Sequence, residues 1–442
     1  MIRSRNVKVF AVALTTAALL GACGSAPKST APQSTTASGS TSVAPPSSSK
    51  VTITFWNEMT GPYETALAGE IKAFEAKYPN ITVKDVVIPN DAALEPKLLA
   101  GIVGHSLPTL SQLNPQWGSH FTATKTIVNL TPYIDKATNF GLSQFYPQML
   151  RPGTWPGNKQ YMVPFNLSDA LVYYNKTAFA KAGINQAPTT WAEFAKDAKI
   201  MSEGKRHAFA VTLLHSYPWR AFFYAAGGQL ADSSGQPSKS ALSSSGAAGS
   251  ALSLWADMAK NGSAIFTQGY ASQTDFTNET SSILVGTSAF YPYVAESVGK
   301  KFQIGIAPIP RLAKQATALF GGYLAMFDQA STAQQDAGFT FIQYLTSEQG
   351  QVYWLEHSQG YLPVRRDAAA AAAGFLRAHP AQSAALAQVP TAEPAPNYSW
   401  YDNFDLHTLI PTIESVLLGR ASGPAAASGL YSAAVSDAKS SQ

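Results

Sequence analysis

The chain has 442 residues, a formal charge of +4, 45% hydrophobic residues and 13% charged residues. That length suits two domains or one two-lobed body, and the apolar fraction is enough to fill large cores. A charge this close to neutral, with no Lys/Arg run, excludes an electrostatic grip on nucleic acid, and a single cysteine excludes an internal disulfide.

The N-terminus reads first. Arg3, Arg5 and Lys8 precede an apolar stretch from Val9 to Leu20, which leads into Leu20-Gly21-Ala22-Cys23. A basic start, a short apolar run and small residues before a cut site describe a signal peptide over residues 1–22. The run is shorter than the roughly 20 residues that a permanent membrane span needs. The tetrapeptide resembles the bacterial lipobox, which implies that Cys23 becomes an acylated N-terminus. Residues 24–50 are mostly Ser, Thr, Pro, Ala and Gly. Such a segment has too little apolar area to offset its ordering entropy, so it reads as a tether of roughly 30 Å span.

The folded body begins at Val51. Val51 to Phe55 alternates apolar and polar residues, the period of a half-buried strand. Tyr63 to Tyr78 places Leu67, Ile71, Phe74 and Tyr78 on one helical face, and Pro79-Asn80 stops it. Ile81 to Ile88 is a second strand, a helix carrying Leu98, Leu99, Ile102 and Val103 follows, and Thr109 to Leu113 is a third strand. Thr190-Trp191-Ala192-Glu193 is a capping box. Phe209 to Leu214 and Phe302 to Pro308 read as strands. Thr332 opens a helix with Phe339, Ile342 and Leu345 inward, Gly360 caps the next helix, and residues 367–373 are helical. The alternation of strand and helix predicts an α/β fold with a largely parallel sheet. Trp191 and Trp255 lie on helical patterns and belong to cores.

The ordered motifs then carry a resemblance over residues 51–420. They are Phe55-Trp56, Ala73-Phe74-Glu75, Pro79-Asn80-Ile81, Val163-Pro164-Phe165-Asn166, Val172-Tyr173-Tyr174-Asn175-Lys176, Gly321-Gly322, Thr346 to Gly350 and Gly360-Tyr361-Leu362-Pro363. Together they resemble family 1 extracellular solute-binding proteins of ABC importers, nearest the branch that binds glycerol-3-phosphate and glycerophosphodiesters. The resemblance implies a two-lobed, type II periplasmic-binding-protein-like fold with crossover strands. It implies an N-terminal lobe of residues 51–164 plus 289–320 and a C-terminal lobe of residues 165–288 plus 321–442. It further implies a small-molecule ligand, ABC permease subunits as partners, no cofactor, and a monomer outside the membrane, either in a periplasm or on the outer face.

Ligands of parallel α/β sheets sit beyond the carboxyl ends of strands. That rule selects Asn90, Asp91, Asn114, Gln116 and Trp117 after the early strands, and Ser168 and Asp169 at the first crossover. The resemblance adds Tyr291, Tyr293, Gly322, Tyr323 and Tyr361. Trp219, Arg220, Trp400 and Tyr401 complete the candidates. Each has a plainer reading: the tryptophans and Tyr361 as core packing, Asn90 and Asp91 as turn formers, Arg220 as a surface residue.

The resemblance is incomplete where it bears on ligand. Its phosphate-gripping Arg is replaced by Tyr398-Ser399-Trp400-Tyr401-Asp402. Phosphate dianions are held by Arg forks, Lys or helix N-termini, whereas aromatic faces and amides suit sugars. The expectation is therefore a neutral carbohydrate, with a glycerol phosphate ester as the alternative if Arg220 supplies the missing charge. A glycoside hydrolase would need two carboxylates about 5–10 Å apart across a cleft. Asp169 with Asp91 or Glu58 is the only such proposal, and no hydrolase motif accompanies it.

Overall fold

A computed structural model describes residues 49–202 and 206–441. The expected leader, Cys23 and residues 24–48 of the tether lie outside the described residues.

Strand β1 (Val51–Asn57) pairs in parallel with β2 (Ile81–Val87) and β3 (Leu110–Leu113). Helix α1 (Pro62–Lys77) joins the first two and buries Leu67, Ile71 and Phe74, three of the four residues expected on its inner face. Helix α2 (Asp91–Val103) joins the next two, with the Asn90 side chain accepting from the Ala93 N–H as its N-cap. Leu98 faces inward, but Leu99 and Val103 are exposed. A short hairpin, β4 (Thr154–Trp155) and β5 (Lys159–Gln160), precedes the long β6 (Val163–Asn175). Then follow β7 (Phe209–Thr212), β8 (Ala264–Thr267), β9 (Ile283–Thr287), β10 (Ile304–Ala307), β11 (Thr317–Met326) and β12 (Ala392–Glu393). Apart from the hairpin, these strands form one continuous sheet in the order β2-β1-β3-β11-β6-β9-β7-β8, with β10 beside β6 and β12 beside β11.

The two long antiparallel strands β6 and β11 join the halves of this sheet. Their pairing runs from Leu319 opposite Asp169 to Leu324 opposite Val163, with a bulge between Gly322 and Tyr323. Gly321 sits there at φ +132°, and a Cβ on it would lie 2.1 Å from the Asn166 carbonyl oxygen. Only glycine meets both demands.

The chain passes between the halves differently from the expected boundaries. Tyr323 to Met326 pair with β3, so β11 enters the N-terminal lobe where it was expected to leave it. The helices Thr332–Leu345 and Glu348–Ser358 then stay there, with Phe341 against Phe55 (5.6 Å) and Phe74 (4.8 Å). Conversely, β10 pairs with the end of β6, and Ile309, Ala316 and Ala318 join the C-terminal core. The reason is strand length: ten residues of β11 reach from one half to the other, which a break at residue 320 does not allow. Residues 395–438 return to the C-terminal core, around Trp219, Phe222 and Trp255.

Local signals mostly behave as expected. The Thr190–Glu193 capping box forms. The Thr332 helix is capped one residue earlier, by Ser331 with Gln334. Gln359, not Gly360, takes the left-handed position after Ser358, at φ 53°. Gly360 serves close approach instead: a Cβ there would lie 2.2 Å from the Tyr63 hydroxyl.

Candidate ligand cleft

The carboxyl ends of the strands in both lobes converge on one cleft. Glu58 follows β1, Asp91 opens α2, Asn114 follows β3, and His215 lies in the loop after β7. The His215 Nε2 is 2.9 Å from the Asp91 Oδ2, so this ion pair crosses from one lobe to the other. Glu58 lies against Asp91 within hydrogen-bonding reach. Burial, then the charge of Asp91 and the hydrogen bond to it, push the Glu58 carboxyl well up. Burial also pushes Asp91 up, but hydrogen bonds from Glu58 and His215, the His215 charge and the Asn114 amide together pull it below the usual carboxylate range.

A chain of amides fixes this centre. The Glu58 backbone N–H donates to the Gln112 Oε1 (2.8 Å), and the Gln112 Nε2 donates to the Asn166 Oδ1 (2.8 Å). Gly322 borders the same spot, where a Cβ would come within 2.7 Å of that Asn166 oxygen. The Asn166 Nδ2 has no protein partner among the described residues and lies near the hydroxyl of Tyr361.

Tyr361 belongs to an aromatic wall. Its ring lies 4.6 Å from Tyr63 and 5.7 Å from Trp354, and Tyr63 in turn meets Tyr293 at 5.6 Å. Burial and the charge of Glu58 raise its phenol far above the ordinary value, so it is a neutral hydrogen-bonding group. Phe320 lies on the hinge strand β11, with His215 on it at 4.7 Å and Tyr217 at 5.0 Å. Tyr270, exposed after β8, stands near Asp91 and Glu58. At the mouth, Glu95 is raised to about 8 by burial, then by Asp402 and Asp91, and Gln116 lies near Asp402 of the other lobe.

The predicted residues divide between this cleft and other places. Asp91, Asn114, Gln116, Tyr293, Gly322 and Tyr361 come together in it. Asn90 is a helix cap at its rim. Tyr291 is half-buried against the N-terminal core. Ser168 and Asp169 are buried in the hinge, where the Ser168 Oγ donates to the Phe320 carbonyl (3.1 Å) and Asp169 accepts from Gln388 (3.3 Å).

Trp117 is core, at 4% exposure. Tyr323 points away from the cleft and donates to the Met149 carbonyl. Trp219 is fully buried and stacked on Phe223 at 5.2 Å. Trp400 is buried with its indole N–H on the Gly235 carbonyl. Arg220 and Tyr401 form an internal group in which the guanidinium lies 5.9 Å from the Tyr401 ring and that phenol donates to Asp405. Trp219, Trp400 and Tyr401 are large aromatic groups that fill the C-terminal core, and Arg220 is buried among them, so neither the ligand-contact reading of these four nor the surface reading of Arg220 holds.

Sequence reasoning did not select Glu58 as a ligand contact, nor Gln112, Asn166, His215, Tyr217, Tyr270, Phe320 or Asp402, which the structure places in or beside the same candidate cleft. The strand-end rule that selected Asp91 also points to His215, just past a strand read correctly. Tyr270 follows β8, which carried no readable alternation. Among the described residues there is no group of His, Cys, Asp or Glu placed to hold a metal ion.

Comparison with known proteins agrees with the family and the fold. Residues 70–387 match the family model of a bacterial extracellular solute-binding protein. A putative binding protein of Brucella abortus is 25% identical over 329 residues, covering 72% of this chain and 77% of its own. The sn-glycerol-3-phosphate-binding periplasmic protein UgpB of Yersinia pestis is 26% identical, covering 78% and 81%. Among solved structures, UgpB of Mycobacterium tuberculosis in complex with glycerophosphocholine aligns with a TM-score of 0.78 at 21% identity, over 88% of this chain and 99% of that one. The cyclic alpha-maltosyl-1,6-maltose binding protein of Arthrobacter globiformis aligns at 0.76 and 22%, over 88% and 100%.

Proposed function

We propose, since this chain belongs to the bacterial extracellular solute-binding proteins, that its cleft captures a neutral carbohydrate for the permease subunits of an ABC importer. The capture of solute for such an importer is the family's role; the ligand and the residues that hold it are our reading. The observation that carries it is the chemistry of the cleft lining. Asp91, Glu58, Glu95 and Asp402 supply carboxyl groups there, and Arg220 is sealed in the C-terminal core. A phosphate dianion entering there finds no guanidinium to hold it. Sugar hydroxyls find acceptors on Asp91 and donors on Asn114 and Tyr361, and the rings of Tyr293, Tyr361 and Phe320 supply faces for C–H groups.

A second reading is a glycerophosphodiester with a cationic headgroup. The kinship with UgpB favours it, and the acidic, aromatic cleft suits an ammonium group. Hydrolysis finds no support in the geometry: Asp169, the proposed partner of Asp91 or Glu58, is buried in the hinge and accepts from Gln388. We further infer that Cys23 is acylated and holds the monomeric body at the outer membrane face. Replacing Cys23 with Ala should release the protein into the medium, and retention on the membrane would refute the anchor.

The direct test is a thermal-shift screen with mono- and oligosaccharides, glycerol-3-phosphate and glycerophosphocholine. A carbohydrate should raise Tm by several degrees through mass action. A shift with the phosphate esters alone would overturn the carbohydrate reading.

A further inference from the structure

His215 stands in a short link, Leu213 to Ser216, between β7 and the helix Tyr217–Ala225. Leu214 beside it is 45% exposed, so packing alone does not hold the link. Ser216 occupies the N-cap position of that helix, where a serine hydroxyl ordinarily accepts from a backbone N–H of the first turn. Its hydroxyl instead turns into the C-terminal core and donates to the Asp405 Oδ1. Both residues are buried.

The acceptor is itself fixed. The Tyr401 hydroxyl donates to the same Asp405 Oδ1 at 2.8 Å. The Arg220 guanidinium lies over the Tyr401 ring, with its charge near Asp405. Arg220 sits one turn into the helix that Ser216 opens, and its backbone N–H donates to the Ser216 carbonyl at 2.8 Å. The backbone widens to a π-helix over Asp405–Leu409, a departure from α geometry that recurs at functional sites. His215 therefore adjoins a residue gripped from the core, while its own ring reaches Asp91 of the other lobe (2.9 Å) and rests on Phe320 (4.7 Å).

We propose that Ser216 and Asp405 are positioning residues for lobe closure: their hydrogen bond fixes the start of the helix Tyr217–Ala225 and so aims His215 at Asp91 of the opposite lobe. The inference rests on the reading of the cleft as the ligand site. A serine that leaves its cap unmade forgoes local helix stability, whereas a hydroxyl donating to a buried carboxylate makes one of the stronger hydrogen bonds. Local order is exchanged for a long-range constraint. Both residues lie in the core, so they act on ligand only through His215. Without their bond the link turns more freely and the His215 ring loses its fixed reach. Fewer unliganded molecules then hold the closed arrangement, and ligand must supply the difference.

The test is small-angle scattering of the purified, unliganded chain, read as a double-mutant cycle. Ser216→Ala should lower the closure constant about fivefold and enlarge the radius of gyration, as His215→Ala does. When the two are combined, the radius should equal that of His215→Ala alone, because Ser216 acts only through His215. Tyr401→Phe removes a donor to the same oxygen but away from the link, so it should lower Tm and keep the wild-type radius. A wild-type radius in Ser216→Ala, additive opening in the double variant, or equal opening in Tyr401→Phe overturns the proposal. An unchanged radius in His215→Ala overturns it as well. Each of these outcomes leaves the carbohydrate reading intact, which stands on the ligand screen. Ser216→Cys, a weaker donor of similar size, takes the place of Ser216→Ala in the cycle if that variant does not fold.

Discussion

The His215 Nε2 and the Asp91 Oδ2 lie 2.9 Å apart from opposite lobes, and this contact ties the loop after β7 to the first turn of α2. His215→Ala should therefore shift the unliganded protein toward an open arrangement. A partly exposed pair is worth about 1 kcal/mol, or roughly fivefold in the closure equilibrium. Small-angle scattering checks this through a larger radius of gyration, and an unchanged radius would remove the pair from the closing mechanism.

The same pair should resist acid. Asp91 is held below its ordinary value, so its contribution is fully present above the usual carboxylate range near 3.8. It is lost only as pH falls through the lower folded-state value. Wild type should keep its compact radius at pH 5, with loosening confined to stronger acid. Asp91→Asn should be loose at both pH values.

Glu95 has the opposite sign. Its folded-state value is raised to about 8 by burial, then by Asp402 and Asp91. Stability from this group is present below its ordinary value of about 4.5 and falls as pH rises toward 8. Glu95→Gln should flatten that limb and raise stability at pH 8 by about 1–2 kcal/mol, less than full linkage because solvent screens the group. Denaturant melts at pH 5 and pH 8 measure it.

Tyr361 separates packing from recognition. Tyr361→Phe keeps the ring against Tyr63 and Trp354 and removes only the hydroxyl near Asn166. Ligand affinity should drop about tenfold, the cost of one hydrogen bond to a bound polar group, with Tm nearly unchanged. Tyr361→Ala should weaken binding further and also destabilise the fold by about 3 kcal/mol through the lost ring. Equal affinity in Tyr361→Phe and wild type would place the hydroxyl outside the recognition set.

Arg220 should act on folding and not on ligand. Its guanidinium is buried over Tyr401, near Asp405, which accepts from Ser216 and Tyr401. Arg220→Met should cost about 3–5 kcal/mol by leaving that carboxylate without its counter-charge. Selective loss of phosphate-ester binding in a folded Arg220→Met would restore Arg220 as a ligand group.

Period and punctuation made the early part legible. Val51 to Phe55, the α1 face and the Thr190 capping box depend on neighbours in sequence, and they form where expected. The crossing of β11 was not legible, because its partners β3 and β6 lie more than 140 residues away and nothing local encodes which half it joins. Site residues split the same way. Asp91 and Asn114 follow readable strands. Trp219 and Trp400 carry a side chain equally suited to a cleft or a core, and only the packing around Phe223 and Gly235 decides it. Gln112 and Phe320 sit inside strands, where a rule about strand ends does not look.

The path of β6 and β11 also limits how such a protein can be recombined. Both strands run continuously from one half of the sheet into the other, and residues 321–364 lie with the N-terminal half although they follow the middle of the C-terminal half in sequence. No single cut yields two fragments that each hold a whole core. A chimera that exchanges one lobe with a relative must splice at several points, and a junction placed at Gly321-Gly322 would strike the bulge where the backbones come closest. New ligand ranges are more accessible through substitutions at strand ends than through exchange of whole lobes.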